Sequence, residues 1–184
     1  DVLGSRGLGD VYKRQEEKVT LGQELSYVEY YLYLQSYRFG ERLSYEIAVS
    51  EEKLKEQYIP KLCIQLIVEN AVVHGLEPKV DNGFVKVSVY RQEGCICIDT
   101  VDDGVGFGAD GEVALPLEKR EKDSAHNHVG LGNVHHMIQL MYGEAYGVTV
   151  FSSPGRGSTV RIRIPEDQGE PEKSEEEWQK KESG

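Results

Sequence analysis

Residues 60–75, PKLCIQLIVENAVVHG, decide the fold. Leu62, Leu66, Ile67 and Ala71 recur at helical spacing and form an apolar stripe. Glu69, Asn70 and His74 lie in the middle of that pattern. A carboxylate beside a carboxamide on such a helix is unfavourable to bury without partners, and a ligand or metal ion would supply them. Pro60 suits the first turn of this helix and Gly75 its C-terminal cap. Two glycine-rich segments follow, Asp102-Asp103-Gly104-Val105-Gly106 and His128-Val129-Gly130-Leu131-Gly132-Asn133. Each is a weak signal alone. The three in this order point to a nucleotide pocket.

Working outward, Thr20 and Gln23 make a capping box. Leu21, Leu25, Val28, Tyr31 and Leu32 continue an amphipathic helix to about Phe39, and Gly40 ends it. The tyrosines between 27 and 45 suggest packing against a partner helix, or a binding surface. Leu43, Tyr45, Ile47 and Val49 alternate as a strand, and Ser50-Glu51-Glu52 turns the chain. Val85, Val87 and Val89 form a second strand. Ile96, Ile98 and Thr100 form a third that runs to Asp102, joined to the second by a hairpin at 91–94. No period is visible from Gly104 to Val129, and a loop of that length is usually functional or mobile. Helix returns from Gly130 to Tyr142, capped by Gly143. Strands at 148–150 and 160–164 follow, with a turn at 152–158. The expected fold class is α/β: a two-layer sandwich of a mixed, largely antiparallel sheet with helices on one face.

The chain has 184 residues, enough for one domain with tails. A net charge of −11 argues against a nucleic-acid surface. Residues 166–184 carry eight acidic residues and three lysines and are read as an acidic disordered tail. The first fifteen residues, rich in glycine and without period, look like a non-native or disordered leader. Three cysteines, Cys63, Cys95 and Cys97, with no signal peptide suggest a reducing, cytoplasmic setting. Cys95-Ile96-Cys97 reads as a strand with both thiols on one face rather than as a metal motif. No apolar run reaches the roughly eighteen residues of a membrane span.

Asp102, at the end of a buried strand, can accept a hydrogen bond from an exocyclic amine. Adenine presents one there, whereas guanine presents an oxygen. Gly104 and Gly106 let backbone approach a flat ring. An ordinary Asp-Gly turn is the plainer alternative. Gly130-Leu131-Gly132-Asn133 opens a helix, whose free amides bind phosphate readily; an ordinary helix start is the alternative. His126, His128, His135 and His136 match no zinc spacing and read as solvated histidines on a lid. Asn70 can offer its amide oxygen to Mg2+. Glu69 can act as a general base.

These residues resemble the ATP-binding domain shared by gyrase, heat-shock chaperones, histidine kinases and MutL proteins. Within that superfamily they look like sensor histidine kinases of the LytS/YesM type. The resemblance runs from about Val19 to Pro165 and rests on several segments. These are Val19-Thr20-Leu21 with Glu24-Leu25, Arg38-Phe39, Gln65, Val68-Glu69-Asn70-Ala71, His74-Gly75, Gly130-Leu131 and Gly155-Arg156-Gly157-Ser158-Thr159. It implies a Bergerat-type fold and ATP with Mg2+ as cofactors. It makes Glu69 the catalytic base and Asn70 the metal contact. His74, Asp102, Gly104, Gly106, Gly130, Leu131, Gly132, Asn133, Ser158 and Thr159 become nucleotide contacts, and 104–129 the ATP lid. It also implies a homodimeric, membrane-anchored parent and a response regulator as partner. Asp103, His128 and Met137 depart from the family, which usually has Asn, Gly and Arg there. The family's phosphoacceptor histidine, in an Asn-Pro-His-Phe context, does not occur in the chain. Residues 16–42 are therefore read as a remnant dimerisation helix and 43–165 as the catalytic domain. A nucleotide-binding regulatory module without transferase activity is the alternative function.

Overall fold

The computed structural model describes residues 18–107, the backbone of 111–113, and 129–166. The leader, His126, His128, most of the 104–129 segment and the tail beyond Glu166 lie outside the described residues. In chain order the elements are β1 (Lys18–Thr20), α1 (Leu21–Phe39), β2 (Leu43–Val49), β3 (Tyr58–Pro60) and α2 (Cys63–Asn70). A π-helical segment (Ala71–Leu76) continues α2, followed by β4 (Gly83–Gln92), β5 (Cys95–Asp102), β6 (Gly111–Val113), α3 (Val129–Tyr142), β7 (Gly147–Ser153) and β8 (Gly157–Pro165).

Six strands form one sheet in the order β2-β4-β5-β8-β7-β6. β2 and β4 are parallel and the other pairs antiparallel, so the sheet is mixed and largely antiparallel. Period-two alternation sends Val85, Val87, Val89, Ile96, Ile98, Val160, Ile162 and Ile164 into one core with the helices. The opposite face carries polar pairs. Arg161 holds Asp99 through two bonds of 2.7 and 2.8 Å, and Lys86 pairs with Glu46 at 2.9 Å. This is the expected two-layer α/β architecture.

Three local readings are corrected. Pro60 does not enter a helix: it pairs with Lys18 in a separate two-stranded β1–β3 sheet. Gly75 is not a cap, because helical winding continues through it. Glu77 N–H donates five residues back to the Val72 carbonyl (2.9 Å), which widens this turn. A short strand, β6, lies inside the segment read as aperiodic. α1 shares one core with the elements that follow it. Leu21, Leu25, Val28 and Leu32 of α1 are buried in the same cluster as α2 and the sheet. Their stripe is spent on this domain's own interior. Tyr27, Tyr30, Tyr33 and Tyr37 point outward from α1 instead of packing on a helix of the described chain.

The start of α2 explains why α1 belongs here. Leu62 has φ of 67° and offers no side-chain cap, so the first amides of α2 have no local acceptor. Glu24 of α1 supplies one. Its carboxylate accepts N–H bonds from Leu62 (3.0 Å), Ile64 (3.1 Å) and Gln65 (3.3 Å) and is fully buried. Burial pushes this carboxyl above its ordinary range, against the pull of the three amides and Lys61. A negative group at a helix N-terminus also complements the helix dipole. At the far end Arg38 of α1 pairs with Glu77, so the two helices run parallel and are clamped at both ends.

Glu24→Ala is expected to lower unfolding free energy by roughly 2–4 kcal/mol, because three helix-start amides, that of Ile64 buried, lose a charged acceptor. Glu24→Gln should cost less, since its amide oxygen keeps part of the set. Urea denaturation of the two variants against the parent checks the order.

Candidate functional site

Between α2, the end of β5 and the start of α3 lies a cavity of about 260 Å³. Asn70, His74, Asp102, Gly106, Leu131 and Ser158 line it, all residues singled out from the sequence. Asp102 is at its buried end, 5% exposed. Its Oδ1 accepts the Gly104 N–H at 2.9 Å, and the Ser158 amide also donates to the carboxylate. Burial dominates these bonds and raises the carboxyl to about 6.

The glycines around Asp102 are there for close approach. A Cβ on Gly75 would lie 2.7 Å from Asp102 Oδ1, and one on Gly104 would lie 2.3 Å from the Gly75 backbone. The widened π turn therefore presses bare backbone against the carboxylate. Val105 N–H then donates to the Gly75 carbonyl (2.9 Å), which ties the start of the 104–129 segment to the end of the helix.

Asn70 is oriented by its own helix. Its Nδ2 donates to the Leu66 carbonyl at 2.8 Å, leaving the amide oxygen as the group available to a cation. Gly130 sits against this side chain, where a Cβ would meet Nδ2 at 3.1 Å. Among the described residues no group of three His, Cys, Asp or Glu side chains gathers in a metal-holding arrangement.

Other residues fall elsewhere. Glu69 is half-buried beside the cavity rather than in its lining, with Gln65 Nε2 donating to its Oε1 at 2.8 Å. Gly132 meets open space and Asn133 is exposed. Thr159 pairs with Val101 in the β5–β8 register and does not line the cavity. His135 is not a solvated lid residue: its Nδ1 accepts the Val148 N–H at 3.0 Å and ties α3 to β7. Asp103 faces away from the cavity. It accepts the Phe84 N–H at 2.8 Å and pairs with Lys79 at 2.9 Å, so its charge is neutralised where it stands. Met137 packs on the core.

Sequence reasoning missed Thr100 and Phe107 as wall residues. Thr100 was legible, being two positions before Asp102 on the same face of β5. Phe107 was not, because its N–H is held by Ser152 Oγ (2.9 Å), forty-five residues away.

Comparison with known proteins places this geometry. Residues 59–168 match the family described as histidine kinase-, DNA gyrase B- and HSP90-like ATPases. The chain belongs to this family. It is 32% identical over 151 residues to the sensor histidine kinase YesM of Bacillus subtilis (strain 168), covering 82% of this chain and 24% of that protein. It is 35% identical over 152 residues to the sensor histidine kinase YpdA of Escherichia coli (strain K12), covering 83% of this chain and 25% of that protein. The chain thus spans about a quarter of the length of these relatives. The fold matches the catalytic domain of the histidine kinase ThkA in a nucleotide-free form, with a TM-score of 0.57 at 11% identity. That match covers 80% of this chain and 94% of ThkA's. It also matches the histidine kinase domain of a blue-light activated kinase from Erythrobacter litoralis, with a TM-score of 0.51 at 17% identity. There the coverage is 80% of this chain and 61% of the other. The match to the ATPase family begins at Ile59, so α1 and its Glu24 lie outside it while sharing its core.

Asp102's raised carboxyl fixes the sign of a pH effect. The native state holds this proton more tightly than the unfolded chain, whose carboxyl has the ordinary value of 3.8. The stability it contributes is full below about 4 and lost as pH rises through about 6. Asp102→Asn is expected to flatten that part of the stability profile, read by urea melts from pH 4 to 7.

Proposed function

We propose that this chain is the ATP-binding catalytic domain of a two-component sensor histidine kinase. The carrying observation is the buried Asp102 carboxylate at the end of a cavity large enough for a planar base, with Asn70 and His74 on one wall. In this reading Asp102 accepts the N6 amine of adenine. Ser158 and Gly106 border the base, and His74 lies along its path. The N-terminus of α3, opening with Gly130 and Leu131, faces the phosphates.

The Asn70 side chain fits a magnesium ion that is otherwise held by phosphate oxygens and water, because its amide oxygen is the atom its hydrogen bond leaves available. Bound there, Mg2+ would neutralise charge on the β- and γ-phosphates. Glu69 takes the proton. As a histidine ring nitrogen attacks the γ-phosphorus, the P–N bond forms and the bond to the ADP oxygen breaks. The proton on the other ring nitrogen passes to the Glu69 carboxylate. The histidine belongs to a dimerisation domain of the parent, which would act as a homodimer at the cytoplasmic side of a membrane and pass the phosphoryl group to a response regulator. No helix among the described residues is long and apolar enough to cross a membrane.

Labelled ATP and a histidine-bearing dimerisation domain supplied in trans test this. The unsubstituted 184-residue chain is expected to produce acid-labile phosphohistidine on the added domain and none on itself. Asn70→Asp should disturb magnesium-dependent binding. Glu69→Gln should keep ATP binding and slow transfer by about 10²–10⁴, the range for general-base catalysis. Transfer by Glu69→Gln at the parent rate contradicts the base role. Tight ATP binding with no transfer by the unsubstituted chain favours a regulatory module.

A further inference from the structure

We propose that Gln65 is a positioning residue that holds Glu69 in the orientation needed to accept the proton, and that Glu24 in turn holds Gln65. The inference rests on the base role given to Glu69 above and deepens it.

The geometry is a relay of two hydrogen bonds. The backbone N–H of Gln65 donates to Glu24 Oε1 at 3.3 Å. Its side-chain Nε2, one helical turn before Glu69, donates to Glu69 Oε1 at 2.8 Å. One residue thus carries α1's buried carboxylate on its main chain and the candidate base on its side chain. Residues at i and i+4 face each other on a helix, so the contact needs no backbone distortion. The carboxamide offers two N–H groups and no charge. It can fix one carboxylate oxygen while leaving Oε2 to take the proton.

The surroundings make the neutral partner significant. Tyr31 of α1 lies close enough to Glu69 to feel its charge. Burial first, then that charge, pushes the phenol up to about 12, so it stays neutral. The nearby cation, Arg38, is engaged with Glu77. Among the described residues no Lys, Arg or His forms an ion pair with Glu69. A salt bridge would aim the carboxylate too, but it would also weaken it as a base. Gln65 aims it without that loss. Gln65, like Glu69, does not line the cavity.

Substitutions of different charge separate positioning from mere packing. Gln65→Ala, Gln65→Glu, Gln65→Lys and Glu69→Gln are assayed for transfer from labelled ATP to the supplied histidine domain across pH 5–9. ATP affinity and thermal melting are measured alongside. Gln65→Ala is expected to keep ATP affinity within about twofold and lower the transfer rate about tenfold or more, the scale of a misplaced reacting group. Gln65→Glu should move the acid limb of the rate profile up by about one pH unit, and Gln65→Lys should move it down, through like and opposite charge at Glu69. A packing role would not move the limb in opposite directions. If Glu69→Gln is impaired while all three Gln65 variants keep the parent's rate and profile, the Gln65 inference is overturned and the base role stands. If Glu69→Gln transfers at the parent rate, the base role falls and this inference with it.

Discussion

The Glu24 carboxylate on the first amides of α2 is the interaction on which the rest of the structure depends. α2 starts abruptly after a left-handed Leu62 and has no local cap. Without an acceptor, the buried Ile64 amide and its part-buried neighbours would lose their partner. A carboxylate from 38 to 41 residues earlier closes them and sets the register between the two helices. Arg38 on Glu77 adds an exposed contact between α1 and the end of the helix. That register positions the π turn, and the π turn brings Gly75 onto Asp102. The adenine end of the proposed site is thus set by a contact at the opposite end of the helix.

The second constraint is space. Asp102 is buried behind bare backbone from Gly75 and Gly104, where a side chain cannot fit. Two amides partly satisfy the carboxylate, yet burial still raises it to about 6. A ligand that donates to it would remove an unfavourable state, whereas one that presents an oxygen would worsen it. This difference between partners is the source of base selectivity in the account.

Much of this was legible in the sequence because it is periodic. The helices at 21–39 and 130–142 and the alternating runs around Val87, Ile98 and Ile162 carry strong local patterns, and Asn70, Asp102 and Ser158 meet where the motifs implied. What failed was long-range or very short. Pro60 looked like a helix opener, since a three-residue strand pairing with Lys18 leaves no period. Gly75 looked like a cap, because its true constraint is a carboxylate on another element. The amphipathic pattern of α1 does not name its partner, so that its stripe packs into the same core as α2 was not legible. Glu24 was visible as part of a resemblance, but its bond to α2 was not. Thr159 was grouped with Ser158 by motif, although strand alternation separates adjacent residues.

Calorimetric titration of the chain with ATP and with GTP, both with Mg2+ at neutral pH, tests whether Asp102 selects the base. ATP is expected to bind, and GTP to bind at least about tenfold more weakly, the consequence of setting a carbonyl oxygen against a buried carboxylate. Equal affinity for the two nucleotides would contradict it.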